Sequence, residues 1–263
     1  MPIIFTQPAS QLMTISGLTY SGISEDISAQ ESQPHSIYIR PDGTKMYSVG
    51  TNTDTVYQYS LGTAWDVSTS SYDGGSKDVN PQDTQPTGVF FSPDGSTMFV
   101  SGFTGKDVNM YTLGTNWNVS TASFVSTHSV GNSPECLTFS PDGSKMYVGT
   151  EFDSRVYEYD LPTNWSLTGM TYSGKFASVG GEETPRGLGF SPDGKRMFTT
   201  GFIGDSAYQY TLSTAWDVST ASYDSVSVGL SPSTAPRDLF FSADSTKMYI
   251  TDSTAATVYQ YDL

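Results

Sequence analysis

The stretch Phe190-Ser191-Pro192-Asp193-Gly194-Lys195-Arg196-Met197-Phe198 constrains the fold most, because the chain repeats it. It returns as Phe91-Ser92-Pro93-Asp94-Gly95-Ser96-Thr97-Met98-Phe99 and Phe139-Ser140-Pro141-Asp142-Gly143-Ser144-Lys145-Met146-Tyr147. Looser copies begin at Ile39 and Phe241. The shared aspartate falls at 42, 94, 142, 193 and 244, at intervals of 52, 48, 51 and 51 residues. A unit of this size cannot cover its own apolar faces, so it needs copies of itself as neighbours, and a period near 50 points to propeller blades.

One unit reads as four strands. Residues 185–190 form a short apolar run, and Pro192-Asp193-Gly194 a tight turn. Proline presets φ there, aspartate bonds the turn with its side chain, and glycine accepts positive φ. Residues 196–200 give a second strand, and 207–212, which alternate aromatic and polar residues, a third. The more polar 216–223 reads as a fourth, outer strand. No segment carries a helical apolar period of useful length. The expected fold is all-β, a five-bladed β-propeller of four antiparallel strands per blade, whose ring leaves only short edges.

The termini test this reading. The last copy stops after a third strand at Thr257-Val258-Tyr259-Gln260-Tyr261-Asp262-Leu263. Its missing fourth strand is expected at residues 13–22, which align with 165–174, Met13 taking the tryptophan position. Residues 12–263 are then a single propeller domain. Residues 1–11 form a tail whose Pro2-Ile3-Ile4-Phe5 is apolar enough to lie along a blade edge or to anchor on a partner.

Charge narrows the partners. Twelve bases against 27 acids give a formal net charge of −15, which disfavours nucleic acid. One cysteine, Cys136, excludes an internal disulfide framework. The start lacks the pattern of a secretion signal, and no run reaches the ~20 apolar residues of a membrane span, so no membrane insertion is expected.

Antiparallel order puts the near-identical Pro-Asp-Gly and Leu-x-Thr-x-Trp turns on one face. The other face collects the loops that differ between copies, expected at 22–34, 74–86, 126–134, 174–185 and 225–236. Divergent loops on a rigid scaffold can carry separate jobs, so this variable face is the expected working face. The first strands should line the channel. At its mouth the residue after each opening proline is His35, Thr87, Glu135, Arg186 or Arg237, followed inward by residues that include Cys136 and Asp238. As a ligand site, His35, Glu135, Arg186, Arg237 and Asp238 suit an anion or a sugar, with the arginines as bidentate clamps. As structure, they form a water-filled plug of ion pairs, Glu135 with Arg186 and Asp238 with Arg237.

Catalytic constellations are sparse. A glycosidase needs two facing carboxylates, and only Glu135 and Asp238 hold inner positions. A Ser-His-Asp triad needs a histidine, and His35 and His128 are the two in the chain. Cys136 reads as a small core residue. No zinc spacing, calcium loop or phosphate-binding glycine loop is present, although Asp153 or Glu182-Glu183 could meet a hard cation. No catalytic residue, metal or cofactor is therefore expected. Tyr59, Tyr111, Tyr159, Tyr210 and Tyr261 recur at one position, as do four tryptophans. They could stack sugars, one weak site per blade, or simply fill the wedges between blades. The repeated methionines read as core filler.

At Phe-Ser-Pro-Asp-Gly-x-x-Met-Tyr/Phe the chain resembles the YVTN/lactonase-like propeller superfamily. That resemblance implies a propeller along nearly the whole chain and leaves function open, since the scaffold hosts many activities. The unit Tyr-Gln-Tyr-x-Leu-x-Thr-Ala-Trp-Asp-Val-Ser-Thr-Ala-Ser-Tyr-Asp at 208–224 resembles repeats of tailed-phage structural proteins and environmental propellers. This second resemblance implies a non-enzymatic virion component, such as a capsid decoration, head fibre or tail adhesin. Its partners would be other virion proteins or a host surface glycan or receptor. The alternatives are a cytoplasmic location, a multivalent lectin and a channel-mouth hydrolase.

Overall fold

Twenty strands fold into five four-stranded antiparallel sheets in a computed structural model that describes residues 13–150, 152–179, 184–201 and 204–263. Strand β1 (Thr19–Asp26) precedes blade one, which is β2 (Pro34–Ile39), β3 (Lys45–Gly50), β4 (Thr55–Leu61) and β5 (Ser70–Asp78). Blade two is β6 (Pro86–Phe91), β7 (Thr97–Gly102), β8 (Asp107–Leu113) and β9 (Ala122–Ser129). Blade three is β10 (Pro134–Phe139), β11 (Lys145–Thr150), β12 (Arg155–Asp160) and β13 (Thr171–Ser178). Blade four is β14 (Pro185–Phe190), β15 (Arg196–Gly201), β16 (Ser206–Leu212) and β17 (Ala221–Gly229). Blade five is β18 (Pro236–Phe241), β19 (Lys247–Asp252) and β20 (Thr257–Asp262), completed by β1.

The ring closes as the termini implied. β1 pairs antiparallel with β20, from Thr19 opposite Asp262 to Asp26 opposite Thr257. The inner strands touch in order around the ring, β2 with β6, β6 with β10, β10 with β14, β14 with β18 and β18 with β2. They are almost wholly buried, whereas the outer strands alternate exposed and half-buried residues. Five apolar clusters sit one in each seam between neighbouring blades. Met46, Met98, Met146, Met197 and Met248 are fully buried in them, as core filler should be.

The fourth strands begin later than their sequence suggests. Residues 216–223 were expected as strand, but β17 starts at Ala221, after a 3-10 turn at Val218–Thr220. Asp217 caps that turn by accepting from the Ser219 amide at 3.1 Å, the local bond that lets aspartate compete with a ladder. Trp216 itself takes a positive φ of 62°. Residues 13–18 likewise form a turn, in which the Leu18 amide bonds Ile15 O at 3.0 Å, so the closing strand is 19–26 and not 13–22. The far ends of these strands were also misjudged. Gly22, Gly74 and Gly174 were expected to open loops, yet each is a positive-φ residue inside a strand, at a register shift where the outer strand bulges. The tail at 1–11 lies outside the described residues. Among the described residues, no helix is long and apolar enough to cross a membrane.

The uniform turns are built as a unit. Asp94 accepts from the Ser96 amide at 3.0 Å and from Ser92 Oγ at 2.7 Å. The Ser92 and Ser140 hydroxyls help hold Asp94 and Asp142 below the usual carboxylate range. Each indole lies on the glycine of its turn. A Cβ on Gly43, Gly95, Gly143 or Gly194 would stand 2.2–2.5 Å from the nearest atom of Trp65, Trp117, Trp165 or Trp216. The one turn that carries Ser245 instead of glycine belongs to blade five, the blade with Met13 at the tryptophan position.

Hydrogen bonds clasp neighbouring blades at the same places. Tyr47 Oη donates to Trp117 O at 2.8 Å, and Tyr147 Oη to Trp216 O at 2.8 Å. Gln58 Oε1 accepts from the Val119 amide at 3.1 Å, and Gln209 Oε1 from the Ile15 amide at 3.1 Å. Between blades two and three the corresponding residues are Phe99 and Met110, and that seam packs with Leu137, Phe139 and Leu167.

Candidate binding site at the channel mouth

The first strands deliver the mouth residues where their opening prolines predict. Arg186 Nη1 lies 2.8 Å from Glu135 Oε2, and Arg237 Nη1 lies 3.9 Å from the same oxygen. Both pairs link different blades. Arg237 Nε also donates to Ser253 Oγ at 2.9 Å. Thr87 Oγ1 donates to Pro134 O at 2.8 Å, tying blade two to blade three. His35 is buried, with Nε2 3.4 Å from Thr51 Oγ1, while Nδ1 has no hydrogen-bond partner. Burial first, then the charges of Arg237 and Arg186, pull the His35 pKa down to about 3, so the imidazole is neutral at pH 7.

Asp238 faces elsewhere. It accepts from Ser36 Oγ at 2.5 Å and from the Leu239 and Ile37 amides at 2.8 and 3.4 Å, which pegs blade five to blade one. The expected Asp238–Arg237 pair therefore gives way to a peg between blades. Neighbouring residues on a strand point to opposite sides, which separates Asp238 from Arg237. Burial pushes the Asp238 pKa up to about 7. The mouth thus gathers His35, Glu135, Arg186 and Arg237 from four blades and leaves Asp238 beneath them in the wall.

Of the two ion pairs expected of a structural plug, Glu135–Arg186 is present and Asp238–Arg237 is replaced by the peg. Below the mouth the channel turns apolar. A cavity of about 140 Å³ is lined by Ile37, Val89, Leu137, Leu188 and Leu239 among others. It meets a wider funnel of about 440 Å³ on the Pro-Asp-Gly face, where Tyr38, Phe90, Phe139, Phe190, Phe241 and Trp165 converge. The sequence reading missed this funnel, although an aromatic residue at the end of four of the five inner strands signalled it.

The remaining candidates fall into place as packing. Tyr59, Tyr111, Tyr159, Tyr210 and Tyr261 are buried, and Tyr159 Oη donates to Val130 O of the neighbouring blade at 2.8 Å, so these rings fill the seams between blades. Cys136 is buried, its thiol pushed up by burial, with Sγ 2.5 Å from where a Gly149 Cβ would stand. Among the described residues no three His, Cys, Asp or Glu side chains gather as metal ligands. The pair Glu182-Glu183 lies outside the described residues.

Neither a family model nor a curated protein matches the sequence. Solved structures do resemble the fold. A functionally unknown protein from Desulfotomaculum acetoxidans is 15% identical with a TM-score of 0.52, over 83% of this chain and 62% of that one. A candidate 6-phosphogluconolactonase from Bacteroides uniformis is 15% identical with a TM-score of 0.53, over 86% and 65%. Hydrazine synthase from Kuenenia stuttgartiensis is 18% identical with a TM-score of 0.50, over 84% and 56%. The likeness is one of fold. The chain spans less than two thirds of each of these structures.

Proposed function

We propose that this propeller is a non-catalytic binding module, a component of a phage virion, which turns its divergent loop face to a host receptor or a neighbouring subunit. The ligand contact is the channel mouth, and the ligand group is an anion or a sugar. The observation that carries this reading is His35, a neutral imidazole buried with Nδ1 unpartnered, in the field of Arg186 and Arg237. A buried polar atom without a partner costs about 1–3 kcal/mol, a cost that a bound polar group would offset. The virion location rests on the resemblance of the 208–224 unit alone.

Inorganic phosphate and methyl glucoside are the probes for the mouth. Either should raise the melting temperature of the wild type and lose that effect in His35→Phe and Arg237→Met. An equal rise in wild type and variants would refute the mouth as the site. Turnover of a lactone, abolished by Glu135→Gln, would refute the non-catalytic reading. For the virion, deletion of residues 2–11 should release the folded ring from purified particles. Retention on the particle would remove the tail as anchor.

A further inference from the structure

A second set of aromatics stands outside the ring. Each fourth strand shows one to solvent, Tyr20, Tyr72, Phe124, Tyr172 or Tyr223, between 37% and 47% exposed. Each sits opposite the buried third-strand tyrosine of its own blade, Tyr172 against Tyr159 for example. In four blades a further third-strand tyrosine completes the set, as Tyr157 does beside Tyr172, while blade two has Asn109 at that position. Tyr172 meets Tyr157 and Tyr159 at 5.6 and 5.8 Å between centroids and at 69° and 56° between planes. These are edge-to-face and tilted contacts of the kind aromatic pairs prefer, and they leave the Tyr172 ring half exposed.

Beside the set at blade three is a groove of about 260 Å³, lined by Tyr157, Tyr159, Met170 and Tyr172 on one side and by Ser129 and Val130 of blade two on the other. Its end is polar. Tyr157 Oη hydrogen-bonds Asp153, and Asn132 Nδ2 lies 3.4 Å from both Asp153 Oδ2 and Tyr157 Oη. Arg155 Nη1 is 3.4 Å from the same hydroxyl.

We propose that this groove binds a neutral hexopyranose, and that the tyrosine sets of blades one, four and five are weaker copies of it. An aromatic wall beside a carboxylate, a carboxamide and a phenol suits a molecule with one C–H face and an edge of vicinal hydroxyls. Asp153 already accepts from Thr150 Oγ1 at 2.6 Å and lies 3.7 Å from Arg155 Nη1, and a sugar hydroxyl would join this network at its edge, as a purely apolar ligand could not. An anionic sugar would meet Asp153 within a chain of net charge −15. Four sites spaced around one rigid ring would give a surface glycan avidity beyond any single site. The inference is independent of the mouth, since the two share no residue.

The test is an array of neutral glycans terminating in glucose, galactose, mannose or N-acetylglucosamine, probed with the labelled full chain. NMR then follows the Tyr172 ring protons during titration with the methyl glycoside of the best binder. Tyr172→Ala should lower affinity at the blade-three groove about tenfold, which is about 1.4 kcal/mol of lost stacking. Tyr172→Phe should keep that affinity, and Asp153→Asn should weaken it. In a His35→Phe background, which removes the mouth, alanine at Tyr20, Tyr72, Tyr172 and Tyr223 together should abolish array binding with the fold intact by near-ultraviolet circular dichroism. No array binding by the wild type, or binding that this folded combined variant retains, would overturn the proposal. His35→Phe separates the two sites, since it should leave the shifts of the Tyr172 ring protons during the glycoside titration unchanged.

Discussion

Gly95→Ala probes the contact on which every uniform turn is built. Gly95 has a φ of 71°, and a Cβ there would lie 2.2–2.5 Å from three atoms of the Trp117 indole. A side chain in the left-handed region costs about 1–2 kcal/mol. Forcing extra volume into a packed site costs about 1–3 kcal/mol more. The substitution should therefore destabilise by about 2–5 kcal/mol. The indole cannot retreat freely. The Trp117 amide donates to Gly95 O at 3.0 Å, and Trp117 O receives the Tyr47 hydroxyl of the neighbouring blade at 2.8 Å. Urea unfolding followed by circular dichroism gives the cost. A double-mutant cycle with Trp117→Ala then separates its parts, because without the indole only the backbone share should remain. A cost below about 0.5 kcal/mol, or one unchanged when the indole is gone, would refute the steric argument.

Ser245→Gly should shift stability by less than about 1 kcal/mol, because that turn already tolerates a side chain at a φ of 57°. Tyr147→Phe should cost about 1 kcal/mol in urea unfolding by deleting the bond to Trp216 O. Asp238→Asn should flatten the pH dependence of stability. The folded pKa of Asp238 is raised to about 7, so its contribution is complete below the ordinary aspartate pKa and is lost as pH rises through about 7. Melting temperatures between pH 4 and pH 8 would show wild type falling relative to the variant.

The repeat alone carried the architecture, because a turn of Pro-Asp-Gly between apolar runs has one common solution and five copies must share it. Closure was legible because the missing strand left a gap in the count. Strand ends were not. Glycine reads as punctuation, yet Gly22, Gly74 and Gly174 bulge a strand that continues for several residues. Trp216-Asp217-Val218-Ser219-Thr220 looks extended in composition, yet the Asp217 side chain bonds its own backbone and bends it. At the mouth, counting from each proline located the side chains, but partner choice required the pleat. Arg237 looks toward Glu135 and Asp238 toward Ser36 because they are adjacent. The sugar-stacking alternative fell on the buried tyrosines and overlooked the exposed Tyr172, since one tyrosine period contains both kinds of ring and only the fold tells them apart.

Ring closure by β1 is the claim on which both sites depend, and amide hydrogen exchange on the intact chain tests it most directly. The amide of Glu25 in β1 and that of Ile27 just beyond it, which bonds Ala256 O at 2.9 Å, should be protected along with those of β20. If these β1 amides exchange as fast as an unpaired segment while β20 stays protected, the two ends of the chain are not joined in one blade and the account fails.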